Sequence, residues 1–200
     1  MAHARTAARV GKIGPTPPGA RPTTWHIGGT WQRNPLAFEL LLLAVVPETG
    51  GATLFADLQA AFADLSEPVQ QLVSRLPAAH STQVVPSGRS LPSGDVFDPS
   101  QWVEHPLVIR HPETGVRGLY LTSRVTHLIG VSSSESAALL GFLRAHASSP
   151  KYQYRHRWTA GDLLVWDNRS VWHCAVDDYG DADRWGYKTA VVGDGWVPSA

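Results

Sequence analysis

Cysteine is nearly absent: the lone Cys174 in 200 residues excludes an intramolecular disulfide framework and a zinc site built on paired cysteines. Its isolation fits a reducing compartment, and a cytoplasmic location is the expectation. Long apolar runs are missing too. The longest, residues 40–46, falls far short of the ~20 residues that a helix needs to cross a bilayer, so no membrane association is expected. Neither charge sign is in excess, with 17 Lys plus Arg against 17 Asp plus Glu. That balance excludes nucleic-acid binding driven by bulk charge. Acidic residues are wholly lacking from residues 1–38, which carry Arg5, Arg9, Lys12, Arg21 and Arg33; the first carboxylate is Glu39. An acid-free, Arg-bearing start suggests an organelle transit peptide, but the glycines and prolines between Gly11 and Pro22 would break the amphipathic helix such a peptide needs. A flexible leader over residues 1–23 is the simpler expectation.

What the chain does have is apolar mass, histidine and tryptophan. Hydrophobic residues make up 43% of the sequence, enough for one core, and one domain is expected over residues 24–200. Nine histidines direct the search for chemistry, and eight tryptophans could line an interface in a homo-oligomer. Residues 36–46 read as a buried strand closed by Pro47 and the Gly50–Gly51 pair. Asp57 can cap a helix that buries Leu58, Ala61 and Phe62. A second helix opens at Ser66-Glu67-Pro68 and runs to about Leu76. Residues 81–104, rich in Ser, Pro and Gly, read as a lid or a disordered loop. A hairpin follows, with strands at 107–110 and 117–121 around Pro112-Glu113-Thr114-Gly115. Ser132 and Glu135 form a capping box that opens a helix to about Ala147. Alternation from Tyr152 to Trp158, and short apolar segments at 163–166 and 187–192, complete a mainly β pattern with helical insertions, a β-sandwich or jelly roll.

Three segments concentrate unusual residues: Trp25-His26-Ile27-Gly28-Gly29-Thr30, then Gly50-Gly51-Ala52-Thr53-Leu54-Phe55-Ala56-Asp57, and finally the stretch from Arg155-His156-Arg157-Trp158 through Trp166-Asp167-Asn168-Arg169 to His173. Taken singly, His26 and His173 read as packed core histidines more readily than as ligands. Together the segments resemble the taurine dioxygenase (TauD/TfdA) family, Fe(II)- and 2-oxoglutarate-dependent oxygenases on a double-stranded β-helix of the jelly-roll, cupin-like class. The resemblance covers about residues 24–194 and implies an enzyme that oxidises an unactivated C–H bond of a small, anionic substrate. In that reaction 2-oxoglutarate is decarboxylated to succinate and CO2.

The resemblance also implies site residues. The family holds iron with a His-x-Asp/Glu pair and a distal histidine, a facial triad that leaves the opposite face of the metal open. His26 and His173 match the histidines; the carboxylate position falls on Gly28. With no acid before Glu39, no small shift in register restores it. Three outcomes stay open: iron held by two histidines with water in the gap, chloride in the gap as in a halogenase, or an inactive or truncated family member. For 2-oxoglutarate the matching residues are Thr53 and Arg184, a hydroxyl and a two-pronged guanidinium suited to a carboxylate. Lys188 matches a position that meets the substrate anion. Asp167, Asn168 and Arg169 are expected to fix the turn that presents His173.

Overall fold

The computed structural model describes residues 5–14, 23–81, 102–193 and 197–198. The strands are β1 (Arg5–Ile13), β2 (Leu36–Val45), β3 (Thr53–Asp57), β4 (Pro77–Ser81), β5 (Trp102–Pro106), β6 (Val108–Arg110) and β7 (Arg117–Leu119). They continue with β8 (Val125–Leu128), β9 (Gln153–His156), β10 (Leu163–Asp167), β11 (Val171–Ala175), β12 (Trp185–Val192) and β13 (Val197–Pro198). Three helices interrupt them: α1 (Leu58–Ala63), α2 (Glu67–Val73) and α3 (Ser133–Ala147).

Local chemistry explains most boundaries. Asp57 caps α1 by accepting from the backbone N–H groups of Gln59 and Ala60. The reciprocal Ser132–Glu135 box opens α3, and Pro68 sits in the first turn of α2. That second helix ends at Val73, short of the expected Leu76: the backbone tightens through Arg75 and Leu76, bonding back to Leu72 and Val73, and β4 starts at Pro77. The hairpin forms as β6 and β7, with Gly115 taking the positive φ of 72° that the turn requires.

The jelly roll is assembled from small antiparallel sheets. A four-stranded sheet runs β1-β12-β2-β10, and a three-stranded sheet runs β11-β3-β9. They share an apolar layer of Leu41, Leu43, Phe55 and Trp166. Strict alternation along β2 sends Ala37, Glu39, Leu41 and Leu43 into that layer. Beyond the three-stranded sheet, Ala56 and Trp172 join the larger core formed with α1, α2, α3 and the remaining strands. His173 and its neighbour Trp172 thus face opposite layers.

Two segments differ from expectation or lie beyond it. Within the stretch read as a flexible leader, Arg5–Ile13 forms β1 and pairs with β12. An open sheet edge offers unpaired N–H and C=O groups, and this segment satisfies them despite its weak strand composition. Of the 81–104 loop, Ser81 closes β4 and Trp102 opens β5; residues 82–101 lie outside the described residues.

His80 is fully buried on β4 and neither ring nitrogen has a hydrogen-bond partner among the described residues. Its ring stacks on Tyr120 at 5.2 Å and meets His105 edge-on at 5.0 Å. Burial, reinforced by His105, holds its pKa well below the usual histidine value. The unfolded chain therefore binds a proton that the folded one refuses, and stability falls as pH drops below about 6.5. In urea unfolding between pH 7 and 5, a His80→Leu variant is expected to lose up to about 1.4 kcal/mol per pH unit of the wild-type slope. Parallel slopes would show that His80 is not a source of acid sensitivity.

Candidate metal centre

The site begins with a backbone contact. His26 N–H donates to the His173 carbonyl at 2.9 Å, and His173 N–H donates to the His26 carbonyl at 2.9 Å, an isolated antiparallel bridge. Directly opposed residues present their side chains to one face. The two imidazoles accordingly lie with centroids 4.1 Å apart. His26 Nδ1 sits 2.8 Å from the Thr24 carbonyl, which assigns the proton to Nδ1 and leaves a lone pair on Nε2. Trp166 and Phe55 flank the His173 ring at 4.8 and 6.0 Å. Burial is the main cause that lowers both histidine pKa values, well below the ordinary value at His173, where His26 and Lys188 add to it. Both rings are therefore neutral near pH 7, the form that donates a lone pair to a metal.

The gap at Gly28 is filled. A Cβ built on Gly28 would overlap the Glu39 carboxylate, which arrives from β2 and is only 2% exposed. Glu39 Oε2 lies 3.9 Å from His173 Nε2 and has no hydrogen-bond partner among the described residues, while Oε1 accepts from Lys188 Nζ at 2.5 Å. On β12, Lys188 stands opposite Leu41, diagonal to Glu39 on the same face. Its ammonium is thus engaged by Glu39, while the Lys188 side chain remains 31% exposed. The Glu39 carboxyl thus stands in the space beside Gly28 that chloride or water would take. As the side chains stand, no group of three His, Cys, Asp or Glu among the described residues is placed to hold a metal ion.

Thr53 and Arg184 also come together. Thr53 lies two residues along β3 from Phe55, the partner of His173, and so shares the face of the histidines. Its hydroxyl accepts from Trp158 Nε1 at 3.0 Å and from Arg184 Nη2 at 3.4 Å. Arg184 Nε donates to the Gly51 carbonyl at 2.9 Å. Gly51 has a φ of 65°, which lets the backbone turn under the guanidinium.

The structure brings together His26 and His173 and, separately, Thr53 and Arg184, all expected as site residues, and sets beside the histidines Glu39, which was not among them. The signal was present: a carboxylate at an inward position of an otherwise apolar strand, the one place where a solvated face cannot explain it.

The model of the family "Taurine catabolism dioxygenase TauD, TfdA family" matches residues 2–190. A Pseudomonas putida protein named alpha-ketoglutarate-dependent sulfate ester dioxygenase is 32% identical over 189 residues, covering 88% of this chain and 62% of that relative. The crystal structure of a taurine dioxygenase from Burkholderia xenovorans superposes with a TM-score of 0.83 at 34% identity, covering 98% of this chain and 71% of that one. A structure of AAD-2 in complex with Mn(II) and N-oxalylglycine gives 0.76 at 31% identity, with 89% and 64% covered. The chain thus spans less than two thirds of the curated relative's length. None of these three is named as a halogenase.

Asp167 is committed elsewhere. Its oxygens accept from Arg169 N, Nε and Nη2 at 2.8, 2.8 and 2.6 Å, and Oδ2 lies 3.0 Å from His111 Nε2. Burial disfavours its charge, but Arg169 and His111 outweigh burial and hold the carboxyl below its usual range. Asp167→Asn is expected to cost about 2 kcal/mol in urea unfolding, the scale of lost charge-assisted hydrogen bonds. Divalent-metal affinity, read by equilibrium dialysis, should stay within about threefold, since ~0.6 kcal/mol is all that a remote turn should transmit. A larger loss would mean that Asp167 acts at the metal site itself.

Proposed function

Because the chain belongs to the TauD/TfdA dioxygenase family, we propose that it is an Fe(II)- and 2-oxoglutarate-dependent oxygenase acting on a small organic substrate. The observation that carries this reading is the His26–His173 bridge, which sets two neutral imidazoles on one face beside a carboxylate oxygen that has no partner. Two nitrogen donors and one oxygen donor suit a divalent first-row ion such as Fe(II). With Fe(II) and 2-oxoglutarate held there, the centre would use dioxygen as its oxidant, one oxygen atom ending in succinate with loss of CO2 and the other in an unactivated C–H bond of the substrate.

The protein's own work is orientation and exclusion of water. His26 is held in one tautomer by the Thr24 carbonyl. Phe55 and Trp166 wall the distal histidine off from solvent. Arg184 is fixed through Nε by Gly51, and its terminal nitrogen beside the Thr53 hydroxyl can pair with the remote carboxylate of 2-oxoglutarate. The relative named for a sulfate ester supports an anionic substrate. The single free cysteine supports a cytoplasmic setting. No helix among the described residues is long and apolar enough to cross a membrane. Leu163, Val165 and Tyr187, exposed on the outer face of the four-stranded sheet, support self-association there.

Anaerobic titration tests the proposal. Fe(II) followed by 2-oxoglutarate should produce the visible charge-transfer band of the chelate. Arg184→Met should raise the half-saturating 2-oxoglutarate concentration about tenfold or more, the ~1.5–3 kcal/mol of a charge-assisted hydrogen bond. No band at millimolar Fe(II) would sink the proposed activity.

A further inference from the structure

We propose that Glu39 is the third protein ligand of this centre, the carboxylate that position 28 lacks being delivered instead from the neighbouring strand β2. The inference rests on the iron reading above and adds a residue that lies outside the expected motif.

Four observations converge on it. The Glu39 carboxylate occupies the volume into which a side chain at position 28 would project. Gly28 is absent from the glycines with positive φ, so its backbone conformation does not call for glycine. What glycine provides there is room, and Glu39 fills it. Next, Oε2 points toward His173 without any partner, although it is buried. A buried, unsatisfied carboxylate oxygen is costly wherever nothing binds it. Third, β2 packs inward through Ala37, Leu41 and Leu43, where a leucine at 39 would serve packing better. Finally, the distance suits a shared ion. Two donors about 2.1 Å from one metal and near a right angle are about 3 Å apart. A separation of 3.9 Å between His173 Nε2 and Glu39 Oε2 closes with a modest side-chain torsion. Lys188 can keep Oε1 throughout, because a carboxylate has lone pairs for both partners.

The arrangement also revises what an acid at position 28 would do. Gly28→Asp in the wild-type background competes with the Glu39 carboxylate for the same space, and vacating position 39 as well removes that competition. The two positions should behave as a reciprocal pair.

Equilibrium dialysis of anaerobic Fe(II) against the full chain, with Co(II) visible absorption as a second readout, tests this without reference to turnover. Circular dichroism confirms that each variant is folded. Glu39→Gln should weaken Fe(II) binding tenfold or more and alter the Co(II) bands. Gly28→Asp/Glu39→Ala should recover affinity to within a few-fold of wild type. Lys188→Met removes the competing cation and should leave binding as tight or tighter, so it keeps the test decisive if Glu39→Gln does not fold. If wild type binds Fe(II) and Glu39→Gln binds equally well, the assignment of Glu39 is overturned while the oxygenase reading stands. Loss of binding in Lys188→Met would also overturn it, because Glu39 would then matter only through its ion pair. Failure of wild type itself to bind would remove the oxygenase reading first.

Discussion

The site depends on two reciprocal hydrogen bonds between the backbones of His26 and His173. A single bridged pair fixes the separation and the shared face of two side chains that are far apart in the sequence. Its strength lies in what holds each end. His173 belongs to β11, which is paired along its length with β3, and β3 in turn is paired with β9. On the other side, Trp25 stacks on Trp172 at 5.2 Å and anchors the segment that carries His26. The imidazoles are thus positioned by main-chain geometry and aromatic packing, so that no ligand need be present to bring them together.

Strand periodicity then decides what meets them. In β2, residues 37, 39, 41 and 43 face inward, and register against β10 and β12 sets Glu39 opposite Trp166 and Ala190. The same register puts Lys188 on the diagonal, within reach of the carboxylate. A shift of one residue in β2 would expose Glu39 and bury Phe38 and Leu40, emptying the space over Gly28. The carboxylate is therefore as well determined as the histidines, by a different sheet.

Much of the architecture was legible because it is local. Asp57 announces α1, Ser132 and Glu135 announce α3, and the alternation through residues 36–45 announces β2, each through contacts within a few residues. The Thr53–Arg184 contact was legible only through the family pattern, since nothing local in either segment points to the other. Two features stayed hidden. β1 is specified by the open edge of β12, a partner that no pattern within residues 5–13 can reveal. Glu39 stands in the sequence only as the first acid after an acid-free region; sheet register, which no linear motif encodes, sets it beside Gly28.

Energetics point the same way. The Glu39–Lys188 ion pair, with Glu39 buried and the Lys188 side chain 31% exposed, is a weak stabiliser, because desolvating the carboxylate offsets much of the attraction. Here one carboxylate oxygen is left without a hydrogen bond as well, which adds about 1–3 kcal/mol of unrecovered desolvation. Neither charge is needed to complete the apolar layer of Leu41, Leu43, Phe55 and Trp166 that surrounds them. Stability alone does not account for a glutamate at this position, nor for a glycine facing it whose backbone makes no demand for one. Coordination accounts for both at once: a divalent ion gives the orphaned oxygen a partner, and Gly28 gives the carboxylate its space.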